Sequence, residues 1–88
     1  MNWRVELSHE AERQLSRLPR PIRERMVRAI DEMEADPFRG DVLPLKGRRW
    51  QGRYRKRVGR YRIIFTPHHD ERLVAISAIL IRDEGTYR

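Results

Sequence analysis

The spacing of apolar residues changes near the middle of the chain, from a helical period to a strand period. In residues 2–7 apolar and polar residues alternate, which predicts a short strand with one apolar face. After Ser8 the apolar residues recur every three or four positions, as in an amphipathic helix, and the Ser8 hydroxyl can cap the first turn. We expect this helix to cover the stretch "HEAERQLSRL" and to end at Pro19.

A second helix is predicted after the sequence "PRP", because Pro21 suits a first helical position. It should end near Asp36, at "ADP", and form a hairpin with the first helix. Its apolar positions share one helical stripe: Ile22, Met26, Ala29, Ile30 and Met33.

The second half of the chain is predicted to form strands. Pro44 cannot donate to a strand ladder, so "DVLPLKG" should be a short edge strand. A hairpin is expected from residues 52–57 and 60–66, turning at Val58-Gly59. The apolar run 72–82 should be a long central strand, with "PHHDE" as the turn before it.

This order of elements predicts an α+β fold for a single domain spanning residues 1–88. The N-terminal strand and the helical hairpin are followed by a three- to four-stranded, mainly antiparallel sheet, with the helices on one face of it.

The charge balance indicates a polyanionic partner. The chain carries 20 Lys and Arg against 13 Asp and Glu, a net charge of +7. The absence of cysteine excludes disulfides and thiolate metal sites. No apolar run approaches the roughly 20 residues of a membrane span, and the first residues do not resemble a signal peptide, so we expect a cytoplasmic protein without a membrane partner.

The sequence "GRYRKRVGRYRIIF", residues 52–65, concentrates positive charge beside an apolar run. A turn at Val58-Gly59 would set Arg55 opposite Arg62 and Tyr54 opposite Ile63. The tyrosines would then pack toward the helices, with Ile63 and Phe65. Five arginines would project together from the other face: Arg53, Arg55, Arg57, Arg60 and Arg62.

Such an arginine cluster is typical of a phosphate clamp. Like charges opposite one another are destabilising, so we expect an anion to relieve the repulsion, and guanidinium forks match phosphate oxygens. The plainer interpretation is a solvated strand face whose arginine stems cover apolar surface. For the tyrosines, a place at the edge of the core is favoured over base stacking.

The C-terminal "LIRDEGTYR" and the histidines give weaker signals. Arg82 and Tyr87 would bring another guanidinium and a phenol past the sheet edge, and the alternative there is a frayed terminus. His9, His68 and His69 are explained by surface positions, with a His-based nuclease centre as the alternative.

The order of these elements, together with "PLKG", "GRYRIIF" and a terminal Arg followed by Tyr, resembles the RelE/ParE superfamily of bacterial toxin-antitoxin toxins across essentially the whole chain. The resemblance implies that Arg62 is the arginine of the family's Tyr-Arg element. It implies that Arg82 closes the last strand and that Tyr87 is the C-terminal tyrosine of RelE.

Arg53 and Arg55 stand where RelE has two catalytic lysines. This is a departure from the family pattern, because arginine, with a pKa above about 12, almost never transfers a proton. The resemblance thus implies a catalytic set of Arg62, Arg82, Tyr87, Arg55 and Arg53. Further RNA-binding cations would be Arg57, Arg60, Lys56 and Lys46.

The activity implied by the RelE branch is ribosome-dependent cleavage of messenger RNA. A ribose 2′-hydroxyl attacks the adjacent phosphate without a metal or cofactor, and Tyr87 is the candidate for the general acid or base. The implied partners are the ribosome, the message and a cognate antitoxin in a toxin-antitoxin hetero-oligomer. The alternatives are a ParE-like, non-catalytic inhibitor of DNA gyrase and a general RNA-binding module.

Overall fold

The structure, a computed structural model, describes residues 2–81. Two helices and five strands make up most of this part of the chain. They are β1 (Arg4–Leu7), α1 (His9–Ser16), α2 (Arg20–Glu32), β2 (Val42–Pro44), β3 (Tyr54–Val58), β4 (Tyr61–His68) and β5 (Leu73–Ile81), with a 3-10 turn at Arg48–Trp50 between β2 and β3.

The strands form one mixed sheet in the order β1-β5-β4-β3-β2. The N-terminal strand β1 runs parallel to β5, and all other neighbours are antiparallel. The α+β architecture is confirmed, with the N-terminal strand joining the sheet as a fifth member. Strand β5 is an interior strand, as its apolar run predicted, and β2 lies at the edge.

Helix α1 begins where the sequence indicated. Ser8 Oγ accepts a hydrogen bond from the backbone N–H of Ala11 at 3.1 Å, and the same hydroxyl donates to the carbonyl of Ser77 on β5 at 3.1 Å. Both helices are shorter than predicted: α1 ends at Ser16, and α2 ends at Glu32, before turns that lead to Asp36.

A β-bulge in β5 lets a nearly continuous apolar strand fill the core. Ile64 pairs with Ala78 and Phe65 pairs with Ile76, so Ser77 is the extra residue on β5. The change of phase turns Ile76 and Ile79 to the same side of the sheet, where both are buried. Helix α1 is attached at this irregularity, because the Gln14 Oε1 accepts from the backbone N–H of Ile79 at 2.6 Å.

The core lies between the helices and one face of the sheet. Phe65, Met26 and Met33 are fully buried within it, and Tyr54 and Tyr61 pack against its margin. We call the opposite surface of the sheet, turned away from α1 and α2, the open face. Within residues 2–81 no helix is long and apolar enough to cross a membrane.

Replacing Ser8 with alanine should lower the free energy of unfolding by about 1–2 kcal/mol, because it removes the helix cap and the bond to the bulge. Urea denaturation measures this difference. Ser16→Ala is the matched control, since its hydroxyl bonds only to the Arg13 carbonyl within α1. Equal midpoints for the two variants would contradict the role given to Ser8.

Candidate nucleic-acid interface

Four arginines of the β3–β4 region occupy alternate positions along the chain, the ones whose side chains lie on the open face. Arg55 and Arg57 lie on β3 and Arg62 lies on β4. Arg53 directly precedes β3 and is exposed. We call this set the arginine face: Arg53, Arg55, Arg57 and Arg62.

The predicted cross-strand pairing of the hairpin is wrong, because the turn lies one residue further along the chain than predicted. Arg57 lies opposite Arg62, Arg55 opposite Ile64 and Tyr54 opposite Phe65. The two-residue loop is formed by residues 59–60, because Gly59 takes a φ of 61°, a conformation that favours glycine. Moving the turn by one residue changes each partner by two positions, so the side chains of the paired strand residues keep their predicted faces.

Arg60 is therefore in the loop and separated from the arginine face. It lines a small cleft of about 120 Å³ on the helix side of the sheet, with Ile22, Met26 and Tyr61. The expectation that it projects with the other four arginines is wrong, because a loop residue does not follow the alternation of a strand.

A carboxylate of the chain itself lies against the arginine face. The Arg55 guanidinium donates from one Nη1 to the Asp41 Oδ1 at 3.0 Å and to the Asp41 carbonyl oxygen at 3.1 Å. Arg57 Nε lies 3.6 Å from Asp41 Oδ2, and the backbone N–H of Arg57 donates to the Asp41 carbonyl at 2.9 Å. The anion expected to relieve the repulsion is thus supplied partly from within the protein.

The electrostatics of Asp41 reflect this position. The hydrogen bond from Arg55 is the main cause that lowers the pKa of Asp41 from the ordinary value of 3.8, and desolvation opposes it. The positive charges of Arg55, Arg57 and Arg62 lower this pKa further. Asp41 is therefore an anion at neutral pH.

The arginines differ in how far they can reach a ligand. The Arg55 side chain is only 10% exposed and is held by Asp41, whereas that of Arg57 is 36% exposed. Arg62 is half-buried and Arg53 is exposed, with its Cζ 5.8 Å from the centre of the Trp50 ring. Arg53, Arg57 and Arg62 are thus the members of the face that a phosphate can approach.

The two lysines grouped with the RNA-binding cations have different surroundings. Lys56 lies on the helix-facing side of β3 and is 6% exposed. Its Nζ donates to the Arg39 carbonyl at 2.6 Å, so this lysine is a structural anchor and is not accessible to RNA. Lys46 is exposed in the segment after β2.

A groove of about 560 Å³ continues the open face from Arg53 toward β1. Its other lining residues offer hydroxyl, amide, imidazole and carboxylate groups, among them Thr66, Gln51, His68 and Glu6. The groove gives the arginine face a polar neighbour of mixed donor and acceptor character.

The tyrosines and histidines of the hairpin region are explained by packing and surface positions. Tyr54 stacks on Phe65 with ring centres 5.7 Å apart and meets Phe38 edge-on at 5.3 Å, as expected for a residue at the edge of the core. His69 packs between Trp3 and Phe38, at 5.5 and 5.9 Å. Across residues 2–81 no three His, Cys, Asp or Glu side chains are grouped to hold a metal ion.

Arg82 and Tyr87 lie outside the described residues. Sequence reasoning missed Asp41, although a signal was available: it is the only carboxylate in residues 37–69, a stretch that contains ten Lys and Arg. It also missed Trp50, whose ring has Arg49 and Arg53 guanidinium carbons at 6.0 and 5.8 Å.

The lowered pKa of Asp41 makes a pH-dependent contribution to stability. This contribution is present above the unfolded-state pKa, near 3.8, and is lost as the pH falls through the lower folded-state pKa. Asp41→Asn should therefore destabilise the protein at neutral pH and differ progressively less from the wild type in acid. Urea unfolding across a pH series measures the difference, with Asp31→Asn, an exposed acid on α2, as the control. A difference that stays constant into acid would contradict the Asp41 contacts.

The sequence and the fold resemble those of known proteins. The family model described as the ParE toxin of the type II toxin-antitoxin system parDE matches residues 5–85. No curated protein matches the chain significantly.

Solved structures match over nearly the whole chain. The RelBE2 toxin-antitoxin complex of Mycobacterium tuberculosis matches with a TM-score of 0.83 and 25% identity, covering 93% of this chain and 100% of that chain. The RelE-RelB complex of Pyrococcus horikoshii OT3 gives a TM-score of 0.81 and 26% identity, covering 96% of this chain and 99% of the other. The YoeB/ParE toxin of Agrobacterium tumefaciens shares the fold at a TM-score of 0.75 and 15% identity, covering 91% of this chain and 99% of that chain. The chain belongs to the ParE toxin family of type II toxin-antitoxin systems, within the RelE/ParE superfamily.

Proposed function

We propose that this toxin arrests translation in the cytoplasm by cleaving messenger RNA on the ribosome. The observation that carries the proposal is the direct pairing of Arg57 with Arg62 on the open face, with Arg53 exposed beside the adjoining groove. Two guanidinium groups brought together on a rigid sheet form a site for one shared anion, and the RNA phosphate is an anion of matching geometry.

The reaction that suits such a site is an in-line transfer within the RNA. The ribose 2′-oxygen loses its proton and bonds to phosphorus, and the bond from phosphorus to the 5′-oxygen breaks as that oxygen gains a proton. The products are a 2′,3′-cyclic phosphate and a 5′-hydroxyl end. Negative charge builds on the non-bridging oxygens, where Arg57 and Arg62 would stabilise it more strongly than in the starting diester.

Proton transfer requires a group other than the arginines, because these stay protonated at neutral pH. Tyr87 is the proposed general acid or base, with Arg82 as a further donor to the phosphate. A weak set of proton-transfer groups makes positioning of the message decisive. Alignment of the 2′-hydroxyl by the ribosome would supply that positioning.

Inhibition of DNA gyrase without catalysis is the second candidate. It is favoured by the description of the matching family, which is that of ParE toxins, and by arginines at the positions of the two RelE lysines. In this case the arginine face would dock on gyrase or on its DNA. The two candidates differ in their products, since only the first one shortens messages.

We also propose an antitoxin partner. The relatives from Mycobacterium tuberculosis and Pyrococcus horikoshii are toxin-antitoxin complexes. With a net charge of +7, this chain would be complemented by an acidic, partly helical segment that covers the open face and gives a hetero-oligomer.

Arg62→Ala should abolish growth inhibition and slow message cleavage by about 100-fold or more, because one donor to the developing charge is lost. The melting temperature should change little, since the loss of a half-buried side chain is offset by relief of repulsion with Arg57. Primer extension on programmed ribosomes, run beside a gyrase supercoiling assay, measures the effect. Arg17→Ala, at the exposed C-terminal cap of α1, is the control and should cleave normally.

Undiminished cleavage by a folded Arg62→Ala variant would refute the arginine face as the active site. Toxicity that persists without any cleavage, together with inhibited supercoiling, would assign the chain to the gyrase inhibitors.

Binding of a 2′-O-methyl RNA oligonucleotide, which cannot be cleaved, should weaken steeply with salt. Two phosphate contacts, one shared by Arg57 and Arg62 and one at Arg53, predict a slope of about −1.4 in a plot of log affinity against log salt concentration. The double variant Arg53→Ala/Arg62→Ala should reduce the slope to about −0.7, since Arg57 alone then remains to hold one phosphate. Fluorescence anisotropy measures both. The same shallow slope for wild type and double variant would mean that the arginines form only a solvated face.

A further inference from the structure

The segment 39–41, which leads into β2, is held by three consecutive residues of β3. Lys56 bonds to the Arg39 carbonyl from the helix side, while Arg55 and Arg57 contact Asp41 from the open face. Because successive strand residues point to opposite faces, the segment is contacted by side chains from both sides of the sheet. The Asp41 carboxylate thus has a fixed position.

Asp41 begins a row of charges that runs across the open face. Its carbonyl bonds to the backbone N–H of Arg57, and Arg57 is the register partner of Arg62 on β4. The carboxylate therefore stands at the outer end of the row and the proposed phosphate site at the inner end, with Arg57 between them.

The two arginines that contact Asp41 are held differently. Arg55 makes two hydrogen bonds at 3.0 and 3.1 Å and is 10% exposed, so its donors are committed within the protein. Arg57 has a longer ion pair of 3.6 Å and an exposure of 36%. An ion pair of that length orients the guanidinium without a hydrogen bond from the buried Nε, and the Nη donors stay able to bond to another oxygen.

We propose that Asp41 is a positioning residue, an internal counterion that fixes Arg57 beside Arg62 for one shared phosphate and keeps Arg55 away from the RNA. This inference rests on the proposed function for the catalytic effect. Its effect on RNA binding depends only on the arrangement of the arginine face.

Asparagine is the informative substitution at this position. It has nearly the same shape and keeps one oxygen that can accept from Arg55, but it has an amide N–H₂ where the second oxygen faced Arg57. Two donors then oppose each other, so Asp41→Asn releases Arg57 with a minimal change in packing. Asp31→Asn, on the exposed side of α2, makes the same change of net charge away from the open face.

The experiment compares wild type, Asp41→Asn, Asp41→Glu and Asp31→Asn. The first measurement is the salt dependence of affinity for the 2′-O-methyl RNA oligonucleotide. A released Arg57 makes its own phosphate contact, so we expect Asp41→Asn to bind more tightly at low salt than Asp31→Asn, with a slope steeper by about 0.7. The second measurement is kcat and KM for message cleavage on programmed ribosomes.

Cleavage by Asp41→Asn should show a kcat lower by about 10- to 100-fold, because a displaced donor no longer meets the transition state, while KM does not rise. Asp41→Glu, which keeps the charge, should recover part of this kcat. Equal salt slopes for Asp41→Asn and Asp31→Asn would overturn the inference, as would a lower slope or an unchanged kcat in Asp41→Asn. If the wild type cleaves no message, the proposed function fails, and the salt slopes alone decide the role of Asp41.

Discussion

The open face is organised by the repulsion between arginines that the sheet brings together and by the Asp41 carboxylate, which offsets that repulsion. Arg57 and Arg62 are cross-strand partners, and Arg55 lies two residues away on the same face of β3. Asp41 contacts two of these three arginines and has its pKa lowered by all of them. A stable fold can therefore keep an excess of positive charge on one surface, and that excess is what a polyanion would bind.

The fold that supports this surface was largely readable from local patterns. The alternation around Val5 predicted β1, Ser8 predicted the start of α1, and Pro44 predicted an edge strand; each of these is present. The parallel pairing of β1 with β5 has no local signal, because it joins segments nearly 70 residues apart. The bulge at Ser77 could not be predicted either. In an unbroken apolar run there is no alternation of apolar and polar residues, so the sequence does not show where the side chains change face.

The sequence predicted the sheet face on which each strand arginine lies, but it did not predict which residues these arginines contact. The parity of Arg55, Arg57 and Arg62 followed from strand alternation and survived an error in the turn, since moving the turn by one residue preserves the faces. The identity of the cross-strand partners did not survive, because it depends on which two residues occupy the loop. Asp41 was missed because its role depends on the pairing of β2, which it directly precedes, with β3, and on the burial of Arg55. A search for basic residues considers neither of these features.

The arginine face is permanently charged and unable to transfer protons, and both properties follow from the high pKa of arginine. An arginine face can stabilise charge on a phosphate at any physiological pH, yet it cannot supply the base, so the proposed reaction depends on the geometry that the ribosome imposes on the message. The most direct test is to map the ends produced when the purified toxin acts on a message bound in programmed ribosomes. The account predicts 2′,3′-cyclic phosphate and 5′-hydroxyl ends that appear only when ribosomes are present. Intact messages, together with inhibition of gyrase supercoiling by the same preparation, would contradict it.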